Sequence, residues 1–140
     1  MNFRSSALVT AAFLAGLVSN SPALQSQEAD VNAYIVKAPI AGIPSGPFSK
    51  WTEPQREMVF ERVRGFCQFL CVDKYNGETF SSREAAERTA AEAKVCLGAC
   101  IAAHLPPDYP RYADLTKELH ADYDQAKRLG SKLPWPLPAK

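Results

Sequence analysis

Val59, Val63, Phe66 and Leu70 recur every three or four residues through a stretch otherwise rich in Glu, Arg and Gln. That spacing matches the 3.6-residue turn and predicts an amphipathic helix over residues 53–75, with Phe60, Cys67 and Cys71 widening its buried stripe. Thr52 stands as N-cap with Gln55 three residues on, the capping-box pattern. Pro54 falls in the first turn, where no N–H donor is needed. Asn76-Gly77 supplies the left-handed residue that ends helices. Gly65 inside the helix costs about 1 kcal/mol against alanine, and close approach of a neighbouring backbone would explain it.

A second helix is predicted over residues 82–104, capped by Ser81 with Glu84 as its capping-box partner. Its inner face reads Ala86, Ala90, Ala93, Cys96 or Leu97, and Cys100, small enough for close helix–helix contact. Pro106-Pro107 stops it. A third helix is predicted over residues 110–129, with Pro110 in its first turn and Gly130 just past its end. Its apolar stripe is Tyr112, Leu115, Leu119, Tyr123, Ala126 and Leu129. Lys117, Glu118, Asp124 and Arg128 form a solvated opposite face.

Outside the helices the pattern breaks. Residues 24–50 carry Pro39, Pro44, Pro47, Gly42 and Gly46, which exclude a long element. The apolar run AYIVKAPIAGIP there either lies extended across a helical surface or forms one short strand. With no second strand candidate, a sheet is not expected. The tail KLPWPLPAK alternates proline with apolar residues and predicts a polyproline-like strip. Trp135 is its expected anchor to the helical body, with Leu133 and Leu137 beside it; the rival is a free strip whose Trp135 and Leu137 bind a partner. Residues 1–23 have Arg4, an apolar run and the small residues Ser21 and Ala23, the layout of a secretory signal peptide. The expected organisation is a signal peptide (1–23), an extended segment (24–50), a helical domain (51–131) and a Pro-rich tail (132–140), in an all-α fold.

Charge then narrows the partners. Arg4 is the only charged residue of the signal, so the mature chain has 15 basic and 15 acidic residues. A neutral chain gives no electrostatic case for nucleic acid or an anionic membrane surface, and no stable membrane insertion is expected after cleavage.

The four cysteines form two C-x3-C pairs, CQFLC at 67–71 and CLGAC at 96–100. Residues four apart on a helix hold their Cβ atoms about 5–6 Å apart, whereas a disulfide needs about 3.5–4.5 Å. Cys67 therefore does not bond Cys71, nor Cys96 Cys100. Antiparallel helices then pair Cys71 with Cys96 and Cys67 with Cys100. An exported chain meets an oxidising compartment, where such bridges persist. The spacing resembles the twin CX3C motif of the small Tim chaperones of the mitochondrial intermembrane space. The resemblance covers those four residues alone, and the 24 residues between the motifs exceed that family's interval. It implies the same double staple across a helical hairpin and brings no activity with it.

The same residues admit a rival chemistry. Cys67, Cys71, Cys96 and Cys100 as four thiolates, with His104 at i+8 from Cys96, would suit zinc or cuprous copper. Against it, His104 also reads as a helix end, where an imidazolium suits the dipole. Redox catalysis favours C-x-x-C at a helix N-terminus, which neither motif provides. His104 and His120 have no H-E-x-x-H frame, and neither G-x-S-x-G nor a phosphate-binding loop occurs. Trp51, Trp135, Tyr109 and Tyr112 are read as core and tail packing. No cofactor is expected. The expected function is non-catalytic: an envelope or secreted protein that binds another protein as an inhibitor, immunity or assembly factor. The alternative is a copper- or zinc-binding protein using the same cysteines.

Overall fold

A computed structural model of the protein describes residues 38–137. The signal peptide and the start of the extended segment lie outside them. Helix α1 spans Glu53–Cys71, α2 spans Arg83–His104 and α3 spans Tyr112–Arg128, with single 3-10 turns at Phe48–Lys50 and Asp73–Tyr75. No strand occurs among the described residues.

The helix ends differ from expectation by a residue or a turn, each for a local reason. The Thr52 N–H donates to Gln55 Oε1 at 2.9 Å, as the capping pattern requires. At its other end α1 stops at Cys71, four residues early. Tyr75 and Asn76 donate to the carbonyls of Val72 and Asp73, so the last turn tightens to 3-10. Gly77, at φ 85°, makes the turn out. The cap of α2 is Ser82, not Ser81: its Oγ accepts from the Ala85 N–H at 3.1 Å, which leaves Glu84 inside the first turn. The helix α3 begins at Tyr112, because residues 106–112 are taken up by turns in which Tyr109 donates to Pro106 and Tyr112 to Tyr109.

The middle helix, α2, packs against both others. Towards α1 it presents Cys100, Ile101, Cys96 and Leu97, which close on Val59, Val63, Cys67 and Cys71. Towards α3 it presents Ala91, Val95 and Ala99, which close on Leu119 and Ala126. This second face corrects the expected stripe. Ala90 is exposed and Ala86 only half-buried, because a helix between two partners buries two faces and a single stripe cannot describe both. The glycine needed for close approach is Gly98. A Cβ there would stand 3.2 Å from Leu119 Cδ1, whereas one on Gly65 would meet nothing within 4 Å.

The flanking segments lie against this body. Ala38 is buried, and Ile40 and Ile43 pack on the α1–α2 core. Both carboxylate oxygens of Asp108, in the α2–α3 connection, accept backbone N–H groups of the 3-10 turn, from Phe48 at 2.7 Å and Ser49 at 3.0 Å. Phe48 in turn meets Trp51 and, edge-on, Tyr109. At the other end Trp135 stacks on His120 with centroids 4.2 Å apart and meets Tyr123 edge-on. Tyr123 Oη and Lys127 Nζ donate to the Leu133 carbonyl, and Leu137 packs on the α2–α3 cluster.

The Asp108 clasp makes a pH prediction. The N–H groups of Ser49 and then Phe48 hold its carboxyl below the usual aspartate value. A depressed native value gives stability that is present above the unfolded pKa and lost as pH falls through the native one. Asp108→Asn is therefore expected to lower the urea midpoint at pH 7, and the gap from wild type to narrow below about pH 4. Urea titrations at pH 7 and pH 3 check this; a gap unchanged between them would contradict it.

Candidate functional site

Two features draw attention on this frame: the twin cysteine staple and the outer face of α1. Cys67 and Cys100 are joined, as are Cys71 and Cys96, with Cα–Cα distances of 5.7 and 5.6 Å. Both bonds are those expected from helical spacing, and their nested order requires α1 and α2 to run antiparallel. Cys67, Cys71 and Cys100 are fully buried, so the bridges form part of the core. Two disulfides suit an oxidising, extracellular type of compartment.

His104, the last residue of α2, abuts the Cys67–Cys100 bridge. Its Nδ1 lies 2.7 Å from the Cys100 carbonyl oxygen and 3.8 Å from Cys100 Sγ. Its Nε2 lies 2.6 Å from the Ala38 carbonyl oxygen, and Phe66 meets the ring edge-on. The ring therefore ties the N-terminal segment to the end of α2. The ligand atoms of Cys67, Cys100 and His104 lie within 4.8 Å of one another. Of the five candidate metal ligands, the structure thus brings three together, while Cys71 and Cys96 form the neighbouring bridge. As disulfide sulfurs, Cys67 and Cys100 lack the thiolate charge that a soft metal takes. Two-electron reduction would be needed to supply it.

The outer face of α1 was not legible as a site from the cysteines. Phe69 is 68% exposed and Met58 56% exposed, on the side of the helix away from Val59, Val63 and Cys67. Arg62 and Gly65 lie between them, and the Arg62 guanidinium turns back to the N-terminal segment, where it donates to the Ala41 carbonyl at 3.5 Å and lies against Gly42. Beside Met58 a cavity of about 150 Å³ opens between α1 and the N-terminal segment, lined by Ile43, Pro54, Met58, Val59 and Arg62. The signal was present in the sequence. Met58, Gly65 and Phe69 fall on one face at 3.6-residue spacing, away from the buried stripe and with Arg62 among them.

Trp135 and Leu137, expected as binding residues, are half-buried beside α3. Among the described residues, no helix is long and apolar enough to cross a membrane. No protein-family model, curated protein or solved structure matches the chain.

Proposed function

We propose that this is a non-catalytic exported protein, periplasmic or secreted, whose stapled helical pair presents the outer face of α1 to another protein. The observation that carries the reading is Phe69, a large apolar ring held in water on a helix whose opposite face is fully packed. Leaving such a ring exposed forgoes roughly 1.5–3 kcal/mol of burial, and Met58 stands exposed on the same face three turns away. The disulfides support export, and the neutral charge supports a protein partner over nucleic acid. Phe69→Asp is expected to abolish capture of a specific partner from the native compartment while leaving far-UV circular dichroism and melting within a few degrees of wild type. Capture that survives this change would reject the α1 face as the binding surface.

A second reading rests on the proximity of Cys67, Cys100 and His104. Reduced, these residues would offer two thiolates and an imidazole to cuprous copper or zinc. Titration of the thiol-reduced chain with Cu(I) against a chelator tests it. Uptake that His104→Ala leaves unchanged would exclude this residue set.

A further inference from the structure

His104 is held in the manner of a metal-bound histidine. Its Nε2 lies 2.6 Å from the Ala38 carbonyl oxygen, and metal-ligating histidines characteristically donate their second ring N–H to such an acceptor, which fixes the tautomer and the ring orientation. Nδ1 is the nitrogen beside the bridge, 3.8 Å from Cys100 Sγ. Metal–sulfur and metal–imidazole bonds of about 2.3 and 2.0 Å set the donors of a trigonal site about 3.7 Å apart, so this edge of the site needs no rearrangement. Nδ1 also lies 2.7 Å from the Cys100 carbonyl oxygen. That oxygen can only accept, so it does not compete for a lone pair on Nδ1, and the Ala38 contact keeps the ring in place when Nδ1 turns to another partner.

From this we infer that cuprous copper takes the place of the Cys67–Cys100 bridge in the reduced chain, held by the two thiolates and His104 Nδ1, and joins α1 to α2 at the same point. The inference rests on the reading of Cys67, Cys100 and His104 as a metal site and adds what the metal does there: it staples the helices. A dithiol reductant supplies the two electrons that convert the bridge into two thiols, and leaves as its own disulfide. Binding of one Cu(I) then releases both thiol protons. The Cα atoms of Cys67 and Cys100 are 5.7 Å apart, close enough for both sulfurs to reach one ion.

The donor set favours copper over zinc. Structural zinc takes four ligands, whereas three ligand atoms converge here among the described residues, and soft thiolates suit Cu(I). Both cysteines are fully buried, and the Phe66 ring meets His104 edge-on, so the ion sits away from water. Disulfide and metal act on the chain in the same way. Each ties Cys67 to Cys100 across a sequence separation of 33. An ion that binds only the folded arrangement turns its binding free energy into folding free energy.

The Cys71→Ala/Cys96→Ala variant of the mature chain tests the inference, because Cys67 and Cys100 are then its only cysteines. Its oxidised form keeps one bridge and is the folded reference. Reduced and freed of reductant without oxygen, it is expected to lose its helical circular dichroism at 37 °C. Cu(I) supplied through a competing chelator is expected to restore that signal at one ion per chain, with a melting temperature that rises with free copper. Should the reduced variant stay helical at 37 °C, the melting temperature carries the test, and no rise with copper would overturn the staple. His104→Ala in the same variant, with its own oxidised form as the control for folding, is expected to bind Cu(I) at least about tenfold more weakly. Copper uptake without return of the helical signal would overturn the staple and leave the metal site standing. No uptake, or an affinity that His104→Ala leaves unchanged, would overturn both.

Discussion

Replacing all four cysteines with alanine is expected to leave the chain unfolded at 37 °C, whereas removing either bridge alone leaves it folded. The bridges close loops with sequence separations of 33 and 25 residues. In the chain-entropy model, either one acting alone contributes about 3.5 kcal/mol. With one in place, the other closes a ring of only four residues on each helix. It adds about 2.5 kcal/mol. Together they supply about 6 kcal/mol, against a typical domain stability of 5–15 kcal/mol. The first bridge removed should therefore cost less than the second. Because Cys67, Cys71 and Cys100 are fully buried, alanine also loses some packing, which adds to the penalty. Urea denaturation of wild type, Cys67→Ala/Cys100→Ala, Cys71→Ala/Cys96→Ala and the quadruple variant measures all of these terms. A quadruple variant with a cooperative transition close to wild type would show that the packed helices suffice without the staple.

Leu119→Ala is expected to cost about 2–5 kcal/mol, the range for deleting a buried leucine side chain. Leu119 is 1% exposed at the centre of the α2–α3 contact, directly over Gly98. Its loss leaves a void between two backbones already close together. For a domain of this size that corresponds to a fall in melting temperature of roughly 10 °C or more. The complementary change, Gly98→Val, places branched carbons where even a Cβ stands 3.2 Å from Leu119 Cδ1, and overpacking of this kind typically costs about 1–3 kcal/mol. Combining Gly98→Val with Leu119→Ala should recover part of both losses, since the new methyls enter the space the leucine left. Thermal melts of the three variants check this; a double variant as unstable as the sum of the singles would mean that the two residues do not share that space.

Much of the fold was legible in local pattern. Val59, Val63, Leu115 and Leu119 announce their helices by spacing, and Thr52, Gly77 and Gly130 mark ends by backbone chemistry that acts within a few residues. The disulfide pairing followed from a length scale: helical neighbours four apart are too far to bond, so the bridges must cross between helices. Less of the candidate site was legible. His104 stood out beside the cysteines, but the Ala38 carbonyl it meets lies 66 residues away, and no local rule pairs them. Ser82 displaced Ser81 as cap because both serines satisfy the same short-range preference. The geometry of the turn before α2 chooses between them.

By itself, then, the sequence determined the all-α class, the helices to within a turn, and which cysteines join. Each of these depends on residues close in sequence or on one fixed spacing. Only the tertiary structure decided that α2 lies between two partners, that Gly98 and not Gly65 is the point of close approach, and that Phe69 is left in water. Burial is a property of what packs against a face. A helix with two apolar stripes looks the same in sequence whether the second is covered by its own chain or left for another molecule, so only the placement of the neighbouring elements tells the two cases apart.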